Sequence, residues 1–301
     1  MSRSKRKEYT NQPQHVFGRG NFQAPIFQQE GAAEVFLKLL NECAARYVWV
    51  VYAFAIMPNH YHLVMMTPQA NRTRGMQWLL STFASRFNNY RRLHGHVFQG
   101  RYKSKVAPSG VDVSRVINYV QLNPVRAKLC TLEELIYFPW TSVTLLMHPE
   151  QRKEIKAGEA LVEFGGFDDT PAGRYAHLQR LRHVHANDPD GSYFRSDWNE
   201  AEKAELEILK HAPRALQPEP SLSREEYRQR EIVGWNNAAS LLLERAGKND
   251  VDVSSEIGGK PWKVAIAIEL RRKTSATLPW IASRLKIGSP GYLGWLIHRH
   301  K

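Results

Sequence analysis

The sequence predicts an α+β protein: an antiparallel four-stranded sheet with helices packed on it, followed by a separate all-α unit. Three observations carry this expectation. Apolar, Val- and aromatic-rich runs of strand length alternate with amphipathic stretches of helical period over the first half of the chain. Their order is β-α-β-β-α-β-α. The residues from 223 onward carry helical patterning alone.

The opening strand is expected near residues 14–21, QHVFGRGN. Residues 33–46 place Val35, Phe36, Leu39, Leu40 and Cys43 at helical spacing. YVWVVYAFAIM, residues 47–57, is a continuous apolar run of the kind a central buried strand needs. Pro58-Asn59 is a turn signal, and HYHLVMM returns as the second arm of a hairpin. Met76, Leu79, Leu80, Phe83, Phe87 and Tyr90 then form one helical face, with Gly95 just past its end. HVFQGRYKSKVAP, residues 96–108, alternates apolar and basic residues and predicts a strand with one basic face. DVSRVINYVQLN predicts a helix that ends near Asn123, because the residue before Pro124 is biased away from the helical region. This order defines a ferredoxin-like antiparallel sheet with packed helices.

From Gly165 to Ser223 apolar periodicity fades, and GGFDDTPAG, HANDPDGS and APRALQPEPSLS read as loops and linker. Ser223 and Glu226 form a capping-box pair that opens a helix. The C-terminal stretch reads as WKVAIAIELRRKT in a helix, then helix, turn, helix. Ile281, Ala282 and Leu285 face inward, Gly288 marks the turn, and Leu293 and Leu296 anchor a last helix from Pro290 to Arg299. This is a helix-turn-helix-like pattern. The expected organisation is a domain over 1–147, an acidic loop-rich linker over 148–222 and a helical unit over 223–301.

The chain of 301 residues carries a formal net charge of +13, which points to a polyanionic partner, nucleic acid or an anionic membrane surface. The distribution narrows this. Between Cys43 and Leu132 there are twelve Lys or Arg and a single acid, Asp112, whereas ordinary surfaces mix both signs. Residues 150–260 hold 21 acidic and 16 basic side chains, and from Pro261 onward there are eight basic residues against Glu269 alone. That last excess favours DNA over a plain helical hairpin for the C-terminal unit. No apolar stretch reaches the ~18 residues of a spanning helix, and no hydrophobic run follows the basic MSRSKRKEY, so no signal peptide is read there. A cytoplasmic, nucleoid-associated protein with no membrane partner is expected. Cys43 and Cys130 are expected to be free thiols in a reducing compartment.

MPNHYHLVM places His60 and His62 at i and i+2 on a strand, so both project to one face and Tyr61 to the other. Two imidazoles at this spacing can ligate one cation, although core packing also accounts for the pair. A carboxylate ligand is improbable where only Asp112 is at hand, so a neutral oxygen from Asn or Gln is the natural third donor. In NYVQLNPVRA, Tyr119 and Asn123 are i and i+4 on one helical face; a core aromatic is the plain alternative for Tyr119. A cation held this way polarises a scissile phosphate. A phenol, with an ordinary pKa of about 10, could then attack phosphorus, its phenolate favoured by metal and basic surroundings. The resulting phosphotyrosine keeps the phosphodiester energy, which suits rejoining better than hydrolysis.

MPNHYHLVM, VFQGRYKS and YVQLNPVRA, in that order, with GRGN at 18–21 and FPWTS at 138–142, closely resemble the REP-associated tyrosine transposases. These are relatives of the single-strand-DNA insertion-sequence transposases among the His-hydrophobe-His (HUH) nucleases. The resemblance spans roughly residues 14–145. It implies an HUH core in which His60 and His62 bind Mg²⁺ or Mn²⁺, Asn123 completes the metal site and Tyr119 is the nucleophile. It also implies a substrate of single-stranded DNA beside a short palindromic hairpin, cut through a 5′-phosphotyrosine intermediate. Gln121 could compete as a ligand, but i+2 lies on the wrong helical face. The basic candidates for DNA contact are Arg19, Arg86, Arg91, Arg92, Arg101, Lys103, Lys105 and Arg126. A non-catalytic sequence-specific DNA-binding protein, a domesticated transposase or repressor, is the alternative, and a phosphodiesterase using activated water is a third reading. Monomer and homodimer remain equally open.

Overall fold

The computed structural model describes residues 8–107, 109–195 and 224–300, without the side chains of 224–227 and 230. The described residues form two compact units, one built from residues 8–44 and 48–195, the other from 45–47 and 224–300.

Unit 1 runs β1 (Gln14–Arg19), α1 (Ala32–Tyr47), β2 (Val50–Ile56), β3 (His60–Met66), α2 (Arg72–Arg91), β4 (Lys103–Val106), α3 (Gly110–Arg126), α4 (Ser142–Met147), α5 (Ala157–Glu163) and α6 (Pro171–Asn187). The strands form one antiparallel sheet in the order β2-β3-β1-β4, the expected ferredoxin-like arrangement. Strand pairing decides what each face carries, because directly opposed residues share a face. Opposite His62 stands Phe17, opposite His60 stands Arg19, and opposite Val64 stands His15. On the other side of β1, Phe17 pairs Lys103 and His15 pairs Lys105. One face therefore collects His15, Phe17, Arg19, His60, His62, Lys103 and Lys105. Its inner part, Ala53, Ala55 and Val64, packs under Val113, Val116, Ile117 and Val120 of α3.

The opposite face is aromatic. Tyr61 is fully buried there, its ring 4.9 Å from that of Phe36, which in turn meets Phe27 and Phe83. Gly18 lies opposite Tyr61, and a Cβ on it would come within 2.6 Å of the Tyr61 hydroxyl. The middle residue of the histidine motif thus anchors the strand to the core while its neighbours face away.

Three expectations need correction. The strand expected over 96–108 is ordered as such only at Lys103–Val106; Gly100, at φ 140°, breaks the extended run, and Phe98 meets the sheet through one bridge to Gly20. The helix expected to end near Asn123 continues through Pro124 to Arg126. The Asn123 amide explains the tolerance: its Nδ2 donates to Tyr119 O at 2.9 Å and approaches Val120 O, the carbonyl that a proline at 124 cannot serve. The expected linker is helical in its described part. Thr170 caps α6 by accepting from Gly173 N at 3.1 Å, with Pro171 in the first turn. Leu181 of α6 joins Leu122, Leu135 and Val143 in a buried cluster. Asp169, bonded to Arg152 and to Arg174, ties the start of this segment down, and its carboxyl is held at about 2 chiefly by the Arg152 hydrogen bond.

Unit 2 contains α7 (Arg224–Arg245), α8 (Asp250–Ser255), α9 (Pro261–Lys273), α10 (Leu278–Arg284) and α11 (Pro290–Arg299). Ile281, Ala282, Leu285, Leu293 and Leu296 are all buried with Val264, Ala267 and Leu270. Gly288 takes the left-handed turn between α10 and α11 at φ 92°, and Ser289 caps α11. The expected capping pair Ser223 and Glu226 lies outside the described residues. Neither cysteine forms a disulfide, and among the described residues no helix is long and apolar enough to cross a membrane.

Gly75 on α2 faces the indole of Trp49, and a Cβ there would collide with the ring. The ring cannot swing aside freely, because Trp49 Nε1 donates to Asn71 Oδ1 at 2.8 Å and the side chain is buried. Gly75→Ala gains at most about 1 kcal/mol of helix propensity against about 1–3 kcal/mol of overpacking. A lowered urea midpoint is the expected outcome.

Candidate functional site

The mixed face of the sheet opens into a cavity of about 720 Å³ between β1, β3, β4 and α3. His15, Phe17, Arg19, His60, His62, Arg101, Lys103, Lys105, Tyr119 and Asn123 contribute to its wall, as do Phe194 and Arg195 from the segment after α6; among the described residues no carboxylate does. The strand motif and the helix motif, 57 residues apart between His62 and Tyr119 in the sequence, thus share one space. The Tyr119 ring stands edge-on to His62 and to His15, with centroids 6.1 Å away in each case.

Burial sets the charge state of the histidines. His60 is held down at about 4 by burial first and the Arg19 charge second. His62 is pushed well below 6.5 by burial, then by its neighbours His15, His60 and Arg19. His15 falls to about 3 through burial and Lys105. All three imidazoles are neutral at pH 7, as metal ligation requires.

Hydrogen bonds orient the donors. His60 Nδ1 donates to Asn59 Oδ1 at 2.6 Å; the acceptor is a carbonyl oxygen, so the lone pair of the neutral ring sits on Nε2. His62 Nδ1 and His15 Nε2 are 2.8 Å apart. When His62 is the donor in this pair, its Nε2 also keeps a lone pair. Asn123 has its amide nitrogen turned back onto Tyr119 O, which leaves Oδ1 as the donor atom for a cation. Among the described residues no three His, Cys, Asp or Glu side chains converge as a metal cage. The donor set that fits a cation here is two imidazoles and an amide oxygen, with phosphate or water in the remaining positions.

Tyr119 is framed on both sides. The Phe194 ring stacks on it at 4.4 Å and 21°, and the Arg126 guanidinium lies 5.2 Å from its centroid. Arg126 pairs with Asp188 at 3.5 Å and donates to its carbonyl at 2.9 Å. Asp188 in turn accepts from the backbone N–H groups of Tyr193 and Phe194. Arg126 was expected to contact DNA; with only 7% of its side chain exposed, it instead clasps the 188–195 segment against Tyr119. Arg19, Arg101, Lys103 and Lys105 do line the cavity, whereas Arg86 and Arg91 on α2 and Arg92 at its C-cap do not. Arg91 is engaged by Glu30 O at 2.8 Å and lies over the Phe87 ring. Gln121 is buried and bonded to His177 at 2.7 Å, away from the cavity. Tyr102 is buried too, its hydroxyl accepting from Arg72 Nε at 3.3 Å.

His15, Phe194 and Arg195 were not anticipated. His15 had a signal, since His15, Phe17 and Arg19 alternate along β1. Phe194 and Arg195 had none, because they come from a stretch without strand or helix periodicity.

Residues 9–123 match the family model described as "Transposase IS200 like". The resemblance read from the motifs holds over that stretch, which includes the whole sheet, Tyr119 and Asn123. It is less than half of the chain, and α4, α5, α6 and the helices from Arg224 onward lie outside it. One matching solved structure, described as "Structure of the REP associates tyrosine transposase bound to a REP hairpin", is 15% identical over 53% of this chain and 93% of its own, with a TM-score of 0.37. That overlap is too low to bear on chemistry. No curated protein matches the chain.

The depressed histidines have a pH consequence. Above pH ~6.5, their unfolded value, folded and unfolded chains are equally deprotonated at these sites. Below it the unfolded chain takes protons that the fold refuses, so stability falls as pH drops toward about 4 for His60 and about 3 for His15. In metal-free protein, ¹⁵N-resolved NMR should show His60 as the neutral Nδ1–H tautomer at pH 6. Titration of His60 near 6.5 would contradict this picture.

Proposed function

We propose that unit 1 is a metal-dependent single-strand DNA endonuclease and strand transferase, a tyrosine transposase acting beside hairpin elements through a 5′-phosphotyrosine on Tyr119. The observation that carries the reading is the cavity itself, where a tyrosine, neutral imidazoles and an amide oxygen share a wall of Arg and Lys side chains with no carboxylate among the described residues. Such a wall suits a phosphodiester strand and repels nothing in it. The hairpin comes from the motif resemblance.

The chain's own residues divide the work. Arg19, Arg101, Lys103 and Lys105 hold the DNA backbone. His60 Nε2, His62 and Asn123 Oδ1 would hold Mg²⁺ or Mn²⁺, which when bound supplies Lewis-acid polarisation of the scissile phosphate. Phe194 and Arg126 keep the Tyr119 ring in one orientation, so the phenolic oxygen meets phosphorus without a search. The Tyr119 proton passes to solvent, aided by the cationic wall. The Tyr119 oxygen–phosphorus bond forms as the phosphorus–O3′ bond breaks, and the freed 3′ oxygen takes up a proton. Reversal by a new 3′-hydroxyl rejoins the strand.

Unit 2 is proposed as a duplex-binding module that raises the local concentration of DNA. Along α11 the exposed Tyr292, Trp295 and Arg299 follow one another at helical spacing, with the Arg299 guanidinium 5.4 Å from the Trp295 ring.

Tyr119→Phe should keep hairpin affinity and lose the covalent adduct on a denaturing gel. His60→Ala should bind hairpin yet require much higher metal for cleavage, by an order of magnitude or more. A protein that binds hairpin tightly but never forms an adduct in Mg²⁺ or Mn²⁺ is a DNA-binding protein only. Separately, Trp295→Ala with Arg299→Ala should weaken binding to a duplex stem while adduct formation at saturating DNA is retained; equal stem affinity would remove unit 2 from DNA recognition.

A further inference from the structure

Phe22 is 90% exposed, the most exposed large apolar side chain among the described residues. Its backbone is also left-handed, at φ 50° and ψ 28°, and Gln23 follows at φ 60°. Two successive non-glycine residues in this region are strained, and a bulky one is an outlier. A surface loop under no demand would relax, and it would not spend the strain on placing a phenyl ring in water.

The loop is nonetheless tightly held. Gly20 N donates to Asn59 O at 2.7 Å, Asn21 N to Val97 O at 2.9 Å, Gln23 N to Gly20 O at 3.1 Å and Ala24 N to Asn21 O at 2.9 Å. Asn59 then joins the loop to the site. Its Nδ2 donates to Gln23 O at 3.3 Å, while its Oδ1 accepts from His60 Nδ1 at 2.6 Å. One side chain therefore sets both the backbone beside Phe22 and the ring of His60. Arg19, three residues before Phe22, lines the cationic cavity.

We propose that Phe22 is a rigid stacking finger for one unpaired nucleobase of the DNA strand whose backbone enters the cavity. An aromatic face beside a basic channel is the combination that binds single strands, the channel taking phosphates and the ring taking a base. The strained, hydrogen-bonded loop supplies the ring already ordered, so little freedom is lost on binding. Through Asn59, the stacked base is placed in register with His60, and hence with the phosphate to be cut. The inference rests on the strand-cleaving reading for its substrate class, but its test reads binding alone.

The full chain is titrated with a hairpin carrying single-stranded tails and with the same stem lacking tails. 2-Aminopurine is moved through the tails one nucleotide at a time. Wild type should quench one position. Phe22→Ala should lose that quenching and bind the tailed hairpin roughly 5- to 100-fold more weakly, the size of one base–aromatic stack. Binding to the tailless stem should stay unchanged, and Phe22→Trp should restore both signals. Phe22→Asn, which tolerates the left-handed backbone, should raise the melting temperature and show the same loss, separating ring from strain. Unchanged tail affinity and an unchanged quenching profile in Phe22→Ala overturn the proposal. So does a shift in sedimentation on losing the ring with DNA binding intact, which would make Phe22 a protein contact. If tail binding depends on Phe22 but no adduct ever forms, the finger stands and the catalytic reading falls.

Discussion

The antiparallel pairing of β1 with β3 is the constraint on which everything else rests. Side chains alternate faces with a period of two, so a slip of one residue would exchange the two faces of a strand. In the observed register, His62 opposes Phe17, His60 opposes Arg19, and Tyr61 opposes Gly18. Gly18 leaves the space that Tyr61 fills, and the aromatic cluster beneath it holds the register from the buried side. The chemistry on one face is thus secured by packing on the other.

Burial then keeps the histidines neutral, the state in which an imidazole can bind a cation. The apolar surroundings cost a charged imidazole its solvation, and Arg19 and Lys105 add repulsion, so the rings remain neutral donors inside a cationic wall. The same wall favours a polyanion. The 188–195 segment contributes to the site from outside the family-matched stretch: Arg126 and Asp188 close it, and Phe194 stacks on Tyr119. Side chains from α3 and from the 188–195 segment thus frame one phenol.

What could be read from the sequence was what is local. His60 with His62, and Tyr119 with Asn123, are pairs whose spacing matches the period of one element, so their common faces could be inferred. The helix from Pro290 to Arg299 was legible for the same reason, with Pro at its start and Gly288 in the turn before it. Non-local facts were not legible. That His15 touches His62 depends on strand register. That Phe194 returns to Tyr119 depends on α6, whose apolar residues are interspersed with three histidines and three arginines and give little periodic signal. Counting charges could not separate Arg126, paired with Asp188, from Arg101, which lines the cavity. The helix passing through Pro124 was hidden because a side chain, Asn123, supplies the donor that the proline lacks.

The central claim is that Tyr119, within this cavity, becomes covalently joined to DNA. The tryptic peptide VINYVQLNPVR, residues 116–126, contains one tyrosine and no serine or threonine. Wild-type protein would be incubated with a tailed hairpin from the DNA flanking its gene and Mn²⁺, digested with nuclease and trypsin, and sequenced by tandem mass spectrometry. The account predicts a 5′-nucleotide phosphate on Tyr119 in that peptide, absent when EDTA replaces the metal. Cleavage of the DNA with this peptide unmodified, or with the adduct on another residue, would contradict it.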